Sequence, residues 1–398
     1  MNILIQKFGG TSVSSKENRT KVVGKIKNAI KSGYTPVVVV SAMGRKGLPY
    51  ATDTLLSLLT KEFSESNCAA TDLLLSCGEI ISTVVLSSDL HEEGINAVPL
   101  TGGQAGIITD SNFTNAKTLR TDVSKILDVL NANKVPVIAG FQGVNEEGFI
   151  TTIGRGGSDT SACILGAALK ADAIEIYTDV DGVMTADPNI VKNVHTLDDV
   201  DYYDIVQFAE QGAKVIHPHA VEIAMKANIP LIVKNTFSDA KGTTIRNCGF
   251  GNDDNCIITG ITSTSNRVQI KTTLSSTDLN IMLKNLTEKH VSIDLINIFV
   301  DNQVFTISEK DYNSFVSIMN GLNYDYDSLH DCCKVAVIGA GMHNLPGVMS
   351  LINKTLSEED IKILQTADSN NTIWCLIEEV NKVKAIEVLH RVFIEFDR

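Results

Sequence analysis

Over the first 245 residues, short apolar runs alternate with longer stretches of helical periodicity. Residues 3–5 are apolar, Lys7 closes the run, and Gly9 and Gly10 follow. That order predicts a buried strand, a tight turn and a helix. Residues 16–30 put Val22, Val23, Ile26, Ala29 and Ile30 on one helical face, with Gly33 as the expected stop. Residues 37–40 are all valine, which suits a strand buried on both faces of a parallel sheet. Helical patterns follow at 55–63 and 73–90, then a strand at 95–100. Leu119, Val123, Ile126, Leu127 and Leu130 predict a further helix, and residues 135–139 a strand. Residues 149–153 read as half of a hairpin, 158–170 as a small-residue helix, and 173–177 and 229–233 as strands. Such alternation implies right-handed βαβ units and a sheet covered on both faces.

The pattern changes after about residue 244, and the polar, glycine-containing residues 238–251 predict a linker. Beyond it the order is strand, helix, strand, strand at 268–271, 279–289, 292–298 and 303–307. The same order returns at 334–339, 345–356, 361–366 and 372–377, closed by a helix at 382–392. This predicts a duplicated small α+β module. Val337 to Gly341 imitates the opening of a dinucleotide fingerprint, but Asn344 stands where its third glycine belongs and the unit is too short.

A length of 398 residues is that of two or three domains. The net charge of −13 argues against nucleic acid or an acidic membrane surface as partner. A phosphate ligand would therefore need individually placed cations. No apolar run approaches the roughly 18 residues of a membrane span, and no signal-peptide order opens the chain. The eight cysteines lack Cys-x-x-Cys spacing, so free thiols in a reducing cytoplasm are expected. No metal-ligand spacing is present; His217-Pro218-His219 is nearest and reads as the flank of a helix start.

Four stretches carry candidate chemistry. Lys7-Phe8-Gly9-Gly10-Thr11-Ser12 offers a lysine and close-approaching amides, the ingredients of a phosphate cradle. Residues 154–161, Gly-Arg-Gly-Gly-Ser-Asp-Thr-Ser, open a helix whose amides and dipole favour an anion, and Arg155 can fork onto a carboxylate or phosphate. Residues 177–188 run from a strand end into an acidic loop, and residues 211–218 hold Lys214. No Gly-x-x-x-x-Gly-Lys-Ser/Thr loop and no protein-kinase signature set occurs, so a phosphoryl-transfer site would be assembled from separate strand ends.

Together and in order, these stretches resemble the aspartokinases of the amino-acid kinase family. The match extends to residues 37–44, 52–56, 101–107 and 139–143 and to Gly78-Glu79, and it covers roughly residues 1–245. The tail resembles the paired ACT domains of those enzymes. The resemblance implies an α/β amino-acid kinase fold, a mainly parallel sheet sandwiched between helices, at 1–245. Two ferredoxin-like α+β ACT domains are then expected at 257–330 and 331–398, one nested in the other in relatives.

The implied reaction is ATP-dependent phosphorylation of the β-carboxylate of L-aspartate, the first step toward lysine, threonine and methionine. The attacking carboxylate has an unperturbed pKa of ~3.9, so it is ionised and no base is needed. Catalysis reduces to positioning and charge neutralisation. By the resemblance, Lys7 steadies the transferring phosphoryl group, Gly9 and Gly10 donate amides to it, and Asp159 orients Lys7. Arg155 clamps the α-carboxylate and Glu79 the ammonium, with Thr52, Ser41 and Ser158 completing the pocket. Phe8, Thr178, Asp179, Asp187 and Lys214 match ATP-site positions, and Mg²⁺ bridges the phosphates without a protein-built metal site. Met184, Asn189, Asp181 and a longer loop between Gly44 and Thr52 depart from the common pattern. The ACT pair implies feedback by lysine and/or threonine in a cytoplasmic homodimer or tetramer, with Ser275, Leu279 and Asp294 at the matching effector positions. Two rivals are a kinase for glutamate or a nucleotide and an amino-acid sensor with a dead kinase domain. The first predicts loss of the Glu79/Arg155 pair, the second damage at Lys7, Arg155 or Asp159; all are intact.

Overall fold

The computed structural model describes residues 1–212, 216–248, 258–339, 342 and 346–395. The chain divides into two compact units. The first holds Met1–Val183, Thr196–Ala209 and Lys214–Gly249, and the second Met184–His195, Glu210–Ala213 and Phe250–Arg398.

The first unit is built on an eight-stranded sheet. Its order is Asp199–Asp201, Thr243–Arg246, Leu231–Asn235, Ala173–Thr178, Ile3–Phe8, Thr35–Val40, Val135–Ala139 and Ala97–Leu100. Every neighbouring pair is parallel except Leu231–Asn235 with Thr243–Arg246. The valine run behaves as its composition dictates: alternate side chains of a strand leave by opposite faces. Val37 and Val39 enter the core beneath helices Gly157–Leu169 and Pro218–Ala227, while Val38 and Val40 enter the core beneath Lys16–Lys31 and Cys68–Glu92. A smaller sheet orders Thr118–Thr121, Ile107–Thr109, Gln142–Asn145 and Ile150–Thr152, so the expected half-hairpin has its partner.

Four local expectations are corrected. The helical pattern at 55–63 is two helices, Thr52–Leu56 and Lys61–Ser66, because the Thr60 hydroxyl accepts the Phe63 N–H and caps a new start. Leu119 lies on the Thr118–Thr121 strand, and the helix begins only at Ser124, whose N–H and hydroxyl both bond Asp122. The expected linker contains the Thr243–Arg246 strand, anchored by fully buried Ile245 and Thr243. Cys68–Glu92 is, by length and composition, apolar enough to cross a membrane. In this fold it is a core helix, and it buries Asp72, Glu79 and Asp89 along with its apolar face.

The second unit is one antiparallel six-stranded sheet in the order Ile293–Ile298, Gln303–Ser308, Ile258–Thr272, Tyr326–Gly339, Thr372–Glu378 and Gln365–Asp368. Helices Ser276–Glu288 and Tyr312–Leu322 cover one core, and Val348–Glu358 and Lys382–His390 cover another. Tyr312–Leu322 completes the first repeat with a helix beyond the four expected elements. The expected border at 330/331 falls inside the Tyr326–Gly339 strand. The Ile258–Thr272 strand serves both cores. Ile258 and Ile261 pack with the C-terminal helices and with Ala186 and Val191, while Val268 and Ile270 pack with Phe305 and Phe315. Register shifts near residues 264–269 mark the change of core. Phe315→Ala, which empties a fully buried position, is expected to cost about 3–5 kcal/mol in a denaturant titration.

Candidate active site

The carboxyl ends of the central strands converge, as they do around ligands in open α/β sheets. Lys7 lies in register opposite Val39 and Ile176, Ser41 follows the Thr35–Val40 strand on one side of it, and Thr178 ends the strand on the other side. Helix Gly157–Leu169 starts against this edge with Asp159 in its first turn. Lys7 Nζ stands 2.6 Å from Asp159 Oδ1, and both side chains are largely buried, at 11% and 14% exposure. Lys7, Ser41, Thr52, Glu79, Arg155, Ser158 and Asp159 all line one cavity of about 380 Å³.

Two groups of opposite charge in it lack charge partners among the described residues. Glu79 is 2% exposed; Oε1 accepts the Ala42 N–H at 3.1 Å, while Oε2 is buried and unpartnered. Burial pushes its carboxyl up to about 8. Gly78 lets the helix come this close, since a Cβ there would lie 2.8 Å from that of Ala42. Arg155 forms no ion pair among the described residues. It sits between Gly154 and Gly156, at φ +75 and +69, in a turn only glycines make without strain.

The glycine turn differs from expectation in one respect. The Gly9 N–H is spent on the Tyr177 carbonyl at 3.3 Å, so Gly10 and Lys7 remain as the donors to an anion. A Cβ on Gly10 would lie 2.6 Å from the Gly44 carbonyl oxygen and 2.7 Å from that of Ala42. Gly10→Ala is therefore expected to lose turnover and about 1–3 kcal/mol of stability, read by assay and thermal melt. Phe8 is not on the cavity. Its ring is fully buried and stacks on Tyr177 at 4.7 Å, and its carbonyl accepts the Ser41 N–H, so it fixes the strand end.

Asp179 Oδ2 pairs with Arg45 at 2.5 Å, and Arg45 Nε also donates to Thr11 Oγ1 at 3.0 Å. The long loop after Gly44 thus lays a cation over the turn, a feature with no local sequence signal. Asp181 accepts from Ser238 and Asn235 at 2.6 and 2.8 Å, which holds its carboxyl below the usual range. Asp187 belongs to the second unit, where its carboxylate accepts the Asn189 backbone and side-chain N–H groups. Lys214 lies outside the described residues. His217 is the N-cap of Pro218–Ala227, as the helix-start reading requires.

In the second unit Ser275 caps helix Ser276–Glu288 and hydrogen-bonds Asp278 at 2.6 Å, and Leu279 is buried beside it. Asp294 was expected to offer its charge to an effector ammonium. That carboxylate is already taken by the buried Lys334 ammonium, with Arg267 at 3.8 Å from the same oxygen.

Residues 2–235 match the model of the amino acid kinase family, and residues 327–391 that of an ACT domain. The chain is 46% identical over 400 residues to aspartokinase 1 of Bacillus subtilis (strain 168), covering 99% of both. It is 36% identical to an aspartokinase of Geobacillus stearothermophilus, over 99% of this chain and 97% of that one. Among solved structures, Clostridium acetobutylicum aspartate kinase superposes with a TM-score of 0.82 at 25% identity, over 98% of this chain and 100% of the other. Escherichia coli aspartokinase III, solved with aspartate and ADP, shares the fold with a TM-score of 0.76 at 23% identity, over 98% and 99% of the two chains.

Proposed function

Because the chain belongs to the aspartokinases, we propose that it transfers the γ-phosphoryl group of ATP to the β-carboxylate of L-aspartate, with the cavity above as the aspartate site. The observation that carries this is one chamber lined both by Arg155, in no ion pair among the described residues, and by Glu79, whose buried Oε2 has no partner there. A zwitterion supplies the missing carboxylate and ammonium. Arg155 holds the α-carboxylate in a bidentate fork, Glu79 takes the ammonium, and the β-carboxylate is left to face Lys7. Ser41, Thr52 and Ser158 complete the hydrogen bonding. The bond from the β-carboxylate oxygen to phosphorus forms as the bond from phosphorus to the ADP oxygen breaks, with no proton to move. Lys7 and the Gly10 amide neutralise charge on the transferring group, and Asp159 keeps the ammonium aimed.

The Thr178–Asp179 strand end and Lys214 serve the nucleotide. Among the described residues no group of three acidic, histidine or cysteine side chains forms a metal cage. Mg²⁺ fits as a companion of the phosphates, which lend it most of its ligands with water. The ACT half takes an amino-acid effector, and the protein works as a cytoplasmic homodimer. Lysine binding at Asp294 would require displacing Lys334. Equilibrium dialysis with lysine and with threonine identifies the effector, and binding of neither removes the feedback reading.

The deciding experiment is ADP release with ATP, Mg²⁺ and a panel of L-aspartate, L-glutamate and UMP. Turnover is expected with aspartate. Turnover with glutamate or UMP and none with aspartate would overturn the assignment, and inactivity with all three would favour a sensor.

A further inference from the structure

Asp72 is fully buried and lies two helical turns before Glu79, on the same face of Cys68–Glu92. A carboxylate in that position needs donors, and it has three. Asp72 Oδ2 accepts the Thr114 N–H at 2.9 Å and the Thr152 N–H at 2.8 Å, and Oδ1 accepts the Thr152 hydroxyl at 2.7 Å. Thr114 lies in the loop between two strands of the smaller sheet and Thr152 ends its Ile150–Thr152 strand, and both line the substrate cavity.

Thr114 is held in an unusual state. Its φ is +68, in the left-handed region that a β-branched side chain enters only when something imposes it. Thr114 is exposed at the cavity mouth, so packing does not impose it. What fixes the loop is polar. Asn115 donates its N–H to the Asn112 carbonyl, Ala116 donates to the Thr152 carbonyl, and Asp72 takes the Thr114 N–H. The same loop lies against the turn that presents Arg155, because a Cβ on Gly154 would be 2.8 Å from Asn115 Oδ1.

We propose that Thr114 is a further substrate-contacting residue of the amino-acid chamber, and that Asp72 is the positioning residue that holds it against the ligand. The inference rests on the aspartate reading of that chamber. Strain kept at a solvent-exposed threonine has no use in folding, since glycine would relieve it. It has a use if the side chain closes the chamber beside the α-carboxylate clamp.

Thr114→Gly tests this, because glycine accepts the backbone and deletes only the side chain. Its melting temperature is expected within about 3 °C of wild type. The KM for aspartate should rise about tenfold, with the KM for ATP unchanged. Asp72→Asn should raise the aspartate KM similarly, with kcat little altered, and Asp72→Asn/Thr114→Gly should be no worse than Thr114→Gly alone. An aspartate KM within twofold of wild type in a folded Thr114→Gly overturns the contact, and additive losses in the double variant overturn the positioning role. If Asp72→Asn does not fold, Thr114→Gly decides alone. Absence of aspartate turnover in the wild type would strike the substrate reading instead, so the two failures are distinguishable.

Discussion

Lys7→Ala is expected to lower kcat by about 10³-fold or more while leaving the aspartate Kd within about threefold. The asymmetry follows from geometry. In the proposed site Arg155 and Glu79 would hold the amino acid by its backbone charges, whereas Lys7 would work on charge that passes between the reactants. The variant also leaves Asp159 without its 2.6 Å partner at 14% exposure. Removing one member of so buried a pair costs about 3 kcal/mol. Lost activity could then be mistaken for lost fold, so the informative protein is Lys7→Ala/Asp159→Asn. It should recover most of the melting temperature and none of the turnover. Isothermal calorimetry with aspartate completes the test, and parallel loss of binding and turnover would give Lys7 a structural role instead.

The second large effect concerns protons. Burial raises the Glu79 carboxyl to about 8, so at neutral pH the empty chamber holds it mostly neutral. An aspartate ammonium requires the ionised form. Binding below about pH 8 should therefore expel close to one proton, and the aspartate Kd should fall about tenfold per pH unit until that value is passed. Calorimetry in buffers of different ionisation enthalpy reads the proton directly; a Kd flat from pH 6 to 8 with no proton released would refute it. Stability runs the other way. With its folded pKa above the unfolded value, Glu79 binds more protons in the native state, so its contribution falls as pH rises from the ordinary carboxylate range through about 8. Glu79→Gln should accordingly melt higher than wild type at pH 9 while losing aspartate binding by about 10²-fold or more.

Much of the catalytic half was legible because each key side chain sits where a short pattern ends. Lys7 closes an apolar run, Arg155 and Asp159 flank a glycine turn, and Glu79 follows a glycine in a helical stretch. Those endings are strand and helix termini, and sheet topology gathers termini at one edge. Periodicity failed where polar bonds override it. Leu119 keeps helical spacing with Ile126, yet Asp122 starts the helix later. The polar stretch near 243 hides a strand paired on both sides, because Ile245 is its only apolar residue and the buried Thr243 gives no hydrophobic signal. Arg45, Asp72 and Thr114 had no signal at all. Their placement depends on contacts between segments far apart in sequence, such as Asp72 with Thr152. The backbone freedom of Gly9 suggests an anion donor, but its N–H is bonded to Tyr177 of a neighbouring strand.

The Ile258–Thr272 strand has a bearing on how the polypeptide emerges from the ribosome. One of the two hydrophobic centres it joins draws on Val191, Ile261, Val335 and Leu389. That centre cannot close until nearly the whole chain has been synthesised, whereas the inner one, between Val268 and Tyr326, is complete much earlier. A chain released near position 330 would hold all the residues of the inner module beside an orphaned, aggregation-prone strand end. Premature stop codons in the last quarter of the reading frame should thus yield insoluble product, even though the catalytic residues have all been made.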